Sequence, residues 1–317
     1  MCYVSHLGRD SFQLVLSGGL EWIECPSLSR IPHILHAFSL RGGGVGTDPA
    51  VGLNLGFTPG SRRAQVEKNR RRFFRQLGAE EFTLASLRQT HSSTMYLVGR
   101  DASGGLAYQL AGSPAPQPAG GRLPEGDALL TDQPGVLLSV RIADCLPVLL
   151  ADPRRRAVGA VHAGWRGALA RIIEKAVGEM RRLFGSQPEH LRAAFGPSIR
   201  ACCYEVGQEV VDAFCGRFPE GEKFFRWHSS GPDAAPTGAA SFSYLSLYPP
   251  GHAPEPARAA HLDLLAVARA QLLSAGLCSA HIATVPFCTA CRTDLFFSHR
   301  KEGHRTGRMM AAIGIRP

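Results

Sequence analysis

The sequence predicts a mixed α/β domain, and three observations carry that prediction. Short apolar runs of strand length at 136–140, 147–151 and 157–161 alternate with segments in which apolar residues recur every three or four positions. Glycines 78, 185 and 276 stand just past the ends of those periodic segments, where a helix favours a left-handed residue. Finally, 317 residues with 44% hydrophobic content and a mean hydropathy of −0.04 suffice for one large core with a polar surface.

In chain order, residues 62–77 read as a basic helix ended by Gly78. Strands follow at 136–140, 147–151 and 157–161, the last two joined at Asp152-Pro153. An amphipathic helix then carries Leu169, Ile172, Ile173, Ala176, Met180 and Leu183 on one face, with Gly185 as its C-cap. A strand at 191–195, a helix over 262–275 stopped by Gly276, and strands at 281–285 and 309–315 complete the outline. Two stretches differ in composition. Residues 101–126 are rich in Gly, Ala, Pro and Ser, and 229–260 contains Gly231-Pro232, Pro249-Pro250, Pro254 and Pro256, so both read as long surface loops or partly disordered insertions. Neither divides the chain, and residues 1–317 are expected to form one domain carrying two excursions.

Composition excludes several functions. The first residues lack a basic patch followed by an apolar stretch, and no segment approaches the roughly 18 apolar residues needed to span a bilayer. A cytoplasmic chain is expected. Nine cysteines scattered from Cys2 to Cys291 do not form a disulfide framework, which agrees with a reducing compartment. The net charge of +9 comes mainly from arginine, including Arg70–Arg72, Arg154–Arg156 and Arg181-Arg182. No aromatic residues are interleaved there for base stacking, so these runs read as solvated surface and nucleic acid is not the expected partner. Oligomeric state is not legible.

The chemistry concentrates at strand ends. Cys145, in Ala143-Asp144-Cys145-Leu146-Pro147, precedes one apolar strand; His162, in Val161-His162-Ala163-Gly164-Trp165-Arg166-Gly167, ends another. His91, in Gln89-Thr90-His91-Ser92, completes a His/Cys/His set. Three such ligands with a fourth position open are the composition of a catalytic zinc site, since structural sites normally close with four protein ligands. A lone strand-end histidine is commonly a hydrogen-bonded structural residue and a lone cysteine commonly core packing; the combination favours chemistry. Asp144 is polar where a core strand prefers an apolar residue, and it could orient an imidazole or face a substrate. Arg166, between Gly164 and Gly167 at a helix start, could hold phosphate or another anion. The same residues permit a cysteine hydrolase or amidase, with Cys145 as thiolate nucleophile and His162 or His91 as base. A copper oxidase ranks lower, because the twelve histidines include no His-x-His pair for a multicopper cluster. Cys288-Thr289-Ala290-Cys291 is a single Cys-x-x-Cys, for which Cys202-Cys203 could supply the missing partners; packing or redox sensitivity is its default reading.

Blocks along most of the chain carry a resemblance: 36–43 (HAFSLRGG), 53–56 (LNLG), 66–70 (VEKNR), 89–91 (QTH), 126–131 (GDALLT), 143–147 (ADCLP), 161–167 (VHAGWRG), 196–199 (GPSI) and 297–300 (FSHR). In this order they resemble the multicopper polyphenol oxidase or laccase-domain family, now regarded as zinc-dependent purine nucleoside phosphorylases that can also deaminate adenosine. The resemblance implies a zinc site of His91, Cys145 and His162, and a layered sandwich of two β-sheets flanked by helices, as in certain cysteine-dependent toxin deamidases. It also implies purine nucleoside and phosphate as substrates. Arg41, beside Gly42 and Gly43, and Arg166 are the phosphate candidates, since a guanidinium binds two oxygens at once. Asn54, Asp127 and Asp144 are candidates to bond ribose or purine or to transfer protons. Arg300 reads as a structural arginine tying the last strand to the site. The two insertions depart from the family pattern, leaving the metal set intact but placing the cleft rim outside the comparison.

Overall fold

The computed structural model describes residues 12–45, 51–113, 116–118, 122–229 and 258–317. Among them, six strands form one sheet in the order β1 (Gln13–Ser17), β2 (Leu20–Glu24), β3 (Ile34–Ser39), β17 (Met309–Ile315), β9 (Val136–Ile142) and β4 (Thr83–Ala85). Eight form a second: β16 (Ile282–Thr284), β12 (Arg192–Phe195), β10 (Leu146–Asp152), β11 (Ala157–Ala163), β8 (Ala128–Thr131), β5 (Met95–Arg100), β6 (Leu106–Leu110) and β7 (Pro116–Pro118). A small third sheet holds β13 (Glu205–Val206), β15 (Arg258–Leu262) and β14 (Phe225–Ser229). The helices are α1 (Pro26–Ser29), α2 (Arg63–Leu77), α3 (Trp165–Leu169), α4 (Ile172–Phe184), α5 (Gln208–Arg217), α6 (Leu264–Ser274) and α7 (His299–Glu302).

The layering follows from side-chain alternation along strands that are buried on both faces. Phe38, Leu138, Val140, Ala311 and Ile313 of the first sheet share one apolar cluster with Leu129, Leu149, Val158, Ala160 and Ala194 of the second. The intervening residues point the other way. Leu146, Val148, Leu150 and Val161 meet Ile172, Ile173, Ala176 and Met180 of α4 and Leu272 of α6, while Leu35, Ala37, Leu137 and Ala312 meet Phe73 and Leu77 of α2. Helix, sheet, sheet and helix thus stack as the expected sandwich. The β10–β11 hairpin pairs Pro147 with His162 and Leu146 with Ala163. Cys145, one residue before β10, is therefore delivered beside the end of β11.

Two sequence expectations change in detail. The amphipathic helix predicted to carry Leu169 to Leu183 is two helices, because Arg171 adopts φ 60° between α3 and α4 and its guanidinium donates to Glu174 at 2.6 Å. Apolar periodicity runs through this break without registering it. In 101–126, expected to be loop, β6 and β7 extend the second sheet beyond β5. Composition averaged over that stretch hides the strand-forming run Leu106-Ala107-Tyr108-Gln109-Leu110, whose Tyr108 is buried. Most of the second stretch, 230–257, lies outside the described residues. Among the described residues, no helix is long and apolar enough to cross a membrane.

Phe38 is fully buried between the sheets, and its ring occupies the space that a Cβ at Gly196 would need, 2.4 Å away. Phe38→Ala removes transfer energy and leaves a cavity, so urea unfolding is expected to show a loss of about 3–5 kcal/mol. Leu16→Ala, at a position 70% exposed, is expected to change stability by no more than about 0.5 kcal/mol.

Candidate active site

The site is built around a carboxylate that never reaches solvent. Asp127, at the entrance to β8, is 0% exposed. Its backbone N–H donates to Thr94 O at 2.9 Å, and its carbonyl accepts from His162 N at 2.7 Å, joining β5, β8 and β11. The side chain then gathers the turn before β5. Oδ2 accepts from Ser92 N at 2.6 Å, Ser92 Oγ at 2.8 Å and Thr90 N at 3.3 Å, while Oδ1 accepts from His91 N at 3.1 Å. Those bonds hold His91 at φ 59°, a conformation that non-glycine residues seldom adopt unaided. Oδ1 also meets His162 Nδ1 at 2.8 Å. With Nδ1 so engaged, Nε2 is the imidazole nitrogen of His162 that can ligate.

Cys145 joins them from the turn before β10. Its Sγ lies 3.7 Å from His91 Nε2, the two imidazole rings are 5.0 Å apart, and one donor atom from each of the three residues falls within 4.8 Å of the others. A tetrahedral ion with bonds of about 2.0–2.3 Å separates nitrogen and sulfur donors by about 3.6 Å, so this set fits one ion held by three protein ligands. The approach requires Gly164. A Cβ there would stand 2.8 Å from His91 Cδ2 and 3.2 Å from Cys145 Sγ.

The electrostatics of the set oppose its burial. Desolvation works to raise the Cys145 thiol, but the charge and hydrogen bond of His162, helped by His91, bring it down to about 6. Desolvation likewise works to discharge His162, yet the Cys145 thiolate and Asp127 raise it to about 9. For Asp127 the bonds from His162 and Ser92 overcome burial, lowering the carboxyl to about 2. The group is a chain of alternating charge, carboxylate, imidazolium and thiolate, in the absence of metal.

Asp144 shapes the cleft from the other side. It sits at φ 91°, a strained conformation costing on the order of 1–3 kcal/mol. Its carboxylate accepts from Thr289 Oγ1 at 2.6 Å and from the backbone N of Arg300 at 2.7 Å, and its carbonyl accepts from Ile199 N at 2.8 Å. These bonds pin the turn that presents Cys145.

A cleft of about 480 Å³ opens over the three donors. Four arginines, Arg141, Arg166, Arg300 and Arg308, line it together with Phe57 and Tyr204. Burial and the neighbouring charge of Arg308 both push Arg141 down; burial pushes Arg308 down while Cys145 and Asp144 draw it up. Like charges crowded beside a pocket favour an anionic ligand. Burial and the Cys145 charge push the Tyr204 phenol up, keeping it protonated.

Of the residues singled out from sequence, His91, Cys145, His162, Asp144 and Arg166 line this cleft. Arg166 lies in α3, its guanidinium 4.5 Å from the Trp165 ring centre. Asp127 is beneath the cleft, its oxygens taken up by His162 and the 90–92 turn. Asn54 is also buried, and its Oδ1 accepts from Gly56 N at 3.0 Å and Arg308 N at 2.9 Å, which fixes the backbone of Arg308. Arg41 is drawn elsewhere: Nη1 donates to Thr293 O at 2.6 Å and pairs with Glu302 at 2.9 Å, over the Phe297 ring. Arg300 ties α7 to β13 through Glu205 O at 2.9 and 3.0 Å, rather than to the last strand. Arg141, Arg308, Tyr204 and Thr289 went unread in the sequence. The signal for the first two was present, an arginine within or abutting an apolar strand.

Comparison with known proteins gives the family and the fold. Residues 35–316 match the family described as multi-copper polyphenol oxidoreductase laccase. A Deinococcus radiodurans protein named purine nucleoside phosphorylase is 34% identical over 94% of this chain and 94% of its own length. A protein of an unknown prokaryotic organism named adenosine deaminase RL5 is 32% identical over 88% and 93%. The crystal structure of YlmD from Geobacillus stearothermophilus is similar with a TM-score of 0.75 and 30% identity, covering 97% of this chain and 100% of that one.

In the presence of chelator, the alkylation rate of Cys145 by iodoacetamide, followed on its own peptide by mass spectrometry, is expected to be half-maximal near pH 6. An ordinary thiol gives about 8.5. The thiolate persists above the lowered pKa and is lost below it. Asp127→Asn removes one of the two groups, after the Cys145 thiolate, that keep His162 protonated, so the half-point should move upward; an unmoved profile contradicts the pairing.

Proposed function

The chain belongs to the multi-copper polyphenol oxidoreductase laccase family, and from that premise we propose that it is a zinc-dependent purine nucleoside phosphorylase acting on adenosine and inosine, with guanosine and methylthioadenosine as further candidates. The observation that carries this reading is the convergence of His91, Cys145 and His162 in one arginine-walled cleft. Two imidazoles and one thiolate leave a fourth coordination position free, as a catalytic zinc requires. Relatives named purine nucleoside phosphorylase, at 34% and 31% identity over nearly the whole chain, support the substrate class.

Phosphorolysis joins phosphate to the anomeric carbon of a nucleoside as the bond to the purine breaks. The chain must bind two phosphate charges, orient the nucleoside and exclude water. Arg308 and Arg166 are the phosphate ligands in this proposal, and Arg141 adds positive potential from behind. Tyr204, kept protonated, donates a hydrogen bond to the nucleoside, and Phe57 supplies an aromatic face at the rim. When bound, zinc supplies Lewis acidity toward an oxygen of phosphate or substrate and lowers the pKa of water. The latter also serves deamination of adenosine, the activity named for one relative. Asp127 acts through His162, Asn54 through Arg308 and Asp144 through the Cys145 turn; these are positioning residues. Copper is a lesser alternative for the same two imidazoles and thiolate.

A second reading rests on one observation. Cys145 near pKa 6, His162 near 9 and Asp127 bonded to Nδ1 are a thiolate, the imidazolium that holds its proton, and an orienting carboxylate in series. A cysteine hydrolase built on them turns over without metal and dies on alkylation.

The expected result is release of purine base from adenosine or inosine only when phosphate is present, lost with chelator, restored by zinc, and absent in His162→Ala. Arg308→Met should raise the KM for phosphate by about tenfold or more, the worth of one charge-assisted hydrogen bond, with little change in nucleoside affinity. Zinc binding without base release from any purine nucleoside contradicts the phosphorylase; turnover insensitive to chelator selects the hydrolase.

A further inference from the structure

A second convergence of ligand atoms lies behind Asp144. Cys202 and Cys203 follow β12, and Cys288 and Cys291 follow β16, adjacent parallel strands of the second sheet. All four sulfur atoms fall within 4.8 Å of one another, with Cys203 to Cys291 at 3.3 Å and Cys202 to Cys291 at 3.5 Å. A tetrahedron of sulfur about an ion at about 2.3 Å has edges of about 3.8 Å. A disulfide would bring one pair to about 2.05 Å and give no reason for the other two thiols to gather. We propose that Cys202, Cys203, Cys288 and Cys291 hold a structural zinc ion, separate from the cleft and closed by four protein ligands.

The surroundings fit such an ion. Four thiolates and one divalent cation leave a net charge of −2, and the buried Arg200 guanidinium faces Asp263 first and then Cys288 and Cys202. One arm of Arg200 donates to Val285 O, while Nη1 is buried without a hydrogen-bond partner among the described residues. A buried guanidinium so poorly satisfied is expensive unless negative charge stands nearby. Cys288 is buried whereas Cys202 and Cys291 are exposed, so the ion can enter from solvent and finish against the protein. The backbone is already folded for it: Ser198 and Cys288 form a bridge, Thr289 N donates to Ser198 O at 3.1 Å, and Arg292 N donates to Cys288 O at 3.1 Å.

The position gives the ion a role. Thr289, inside the Cys288–Cys291 turn, donates to Asp144, and Tyr204, next to Cys203, stands in the cleft wall. An ion there clamps two segments that together hold the strained turn presenting Cys145.

Zinc per folded chain, measured by plasma mass spectrometry after purification without chelator, is expected to be two for the wild type. It should fall to one in His162→Ala and to one in the double variant Cys288→Ser/Cys291→Ser. Should the double variant fold poorly, X-ray absorption on zinc in His162→Ala reads the site directly, with four sulfur neighbours expected. Less than one zinc ion per chain in His162→Ala, an unchanged content in the double variant, the lack of a four-sulfur zinc in His162→Ala, or an intact mass lighter by a pair of hydrogen atoms as a disulfide requires, each overturns the proposal. Because His162→Ala has lost the cleft ligand, this outcome is independent of whether the chain cleaves nucleosides.

Discussion

The Asp127 carboxylate is the constraint on which the site depends. It is wholly buried, and a buried carboxylate is costly unless its lone pairs are filled. Here they are filled by the groups that must be placed: the backbone of residues 90–92, which fixes His91, and Nδ1 of His162, which aims Nε2 at Cys145. Satisfying Asp127 and assembling the donors are therefore the same event. Its backbone bonds to Thr94 and His162 tie that event to the pairing of β5, β8 and β11, so the folded sheet and the assembled site form together.

Around this fixed point the protein concentrates unfavourable terms. Asp144 and His91 occupy left-handed backbone, Arg141 and Arg308 crowd like charge, and a thiolate is held where burial would protonate it. The core between the two sheets, from Phe38 and Leu138 across to Leu149 and Ala160, supplies the stability that tolerates them. Each term also points toward a ligand: a cation for the donors, an anion for the arginines. Both compensations reside in the cleft, so under the proposed function metal and phosphate would share a single electrostatic arrangement.

Much of this was legible in the residues. The strands β9 to β12 and β17, the helices α2 and α6, and the pairing of Cys145 with His162 follow from apolar runs, periodicity and glycine stops. Other features resist such reading for physical reasons. β1, β2 and β13 to β15 are short or partly exposed, with weak patterns of their own, and gain stability from neighbours distant in sequence. The break at Arg171 rests on one backbone angle that apolar spacing does not encode. Arg41 was plausible beside two glycines, yet Glu302, 261 residues away, captures it; Arg308 gains its place in the cleft through a bond to Asn54. Charged side chains go where long-range partners draw them, and those partners appear only in three dimensions.

Anomalous diffraction at the zinc edge, on crystals of the protein grown with zinc and without chelator, tests the central claim most directly. The account requires a peak bonded at once to His91 Nε2, Cys145 Sγ and His162 Nε2, with the Asp127 bond to Nδ1 intact. Density for zinc elsewhere in the cleft, or at this place without the Cys145 sulfur, contradicts it.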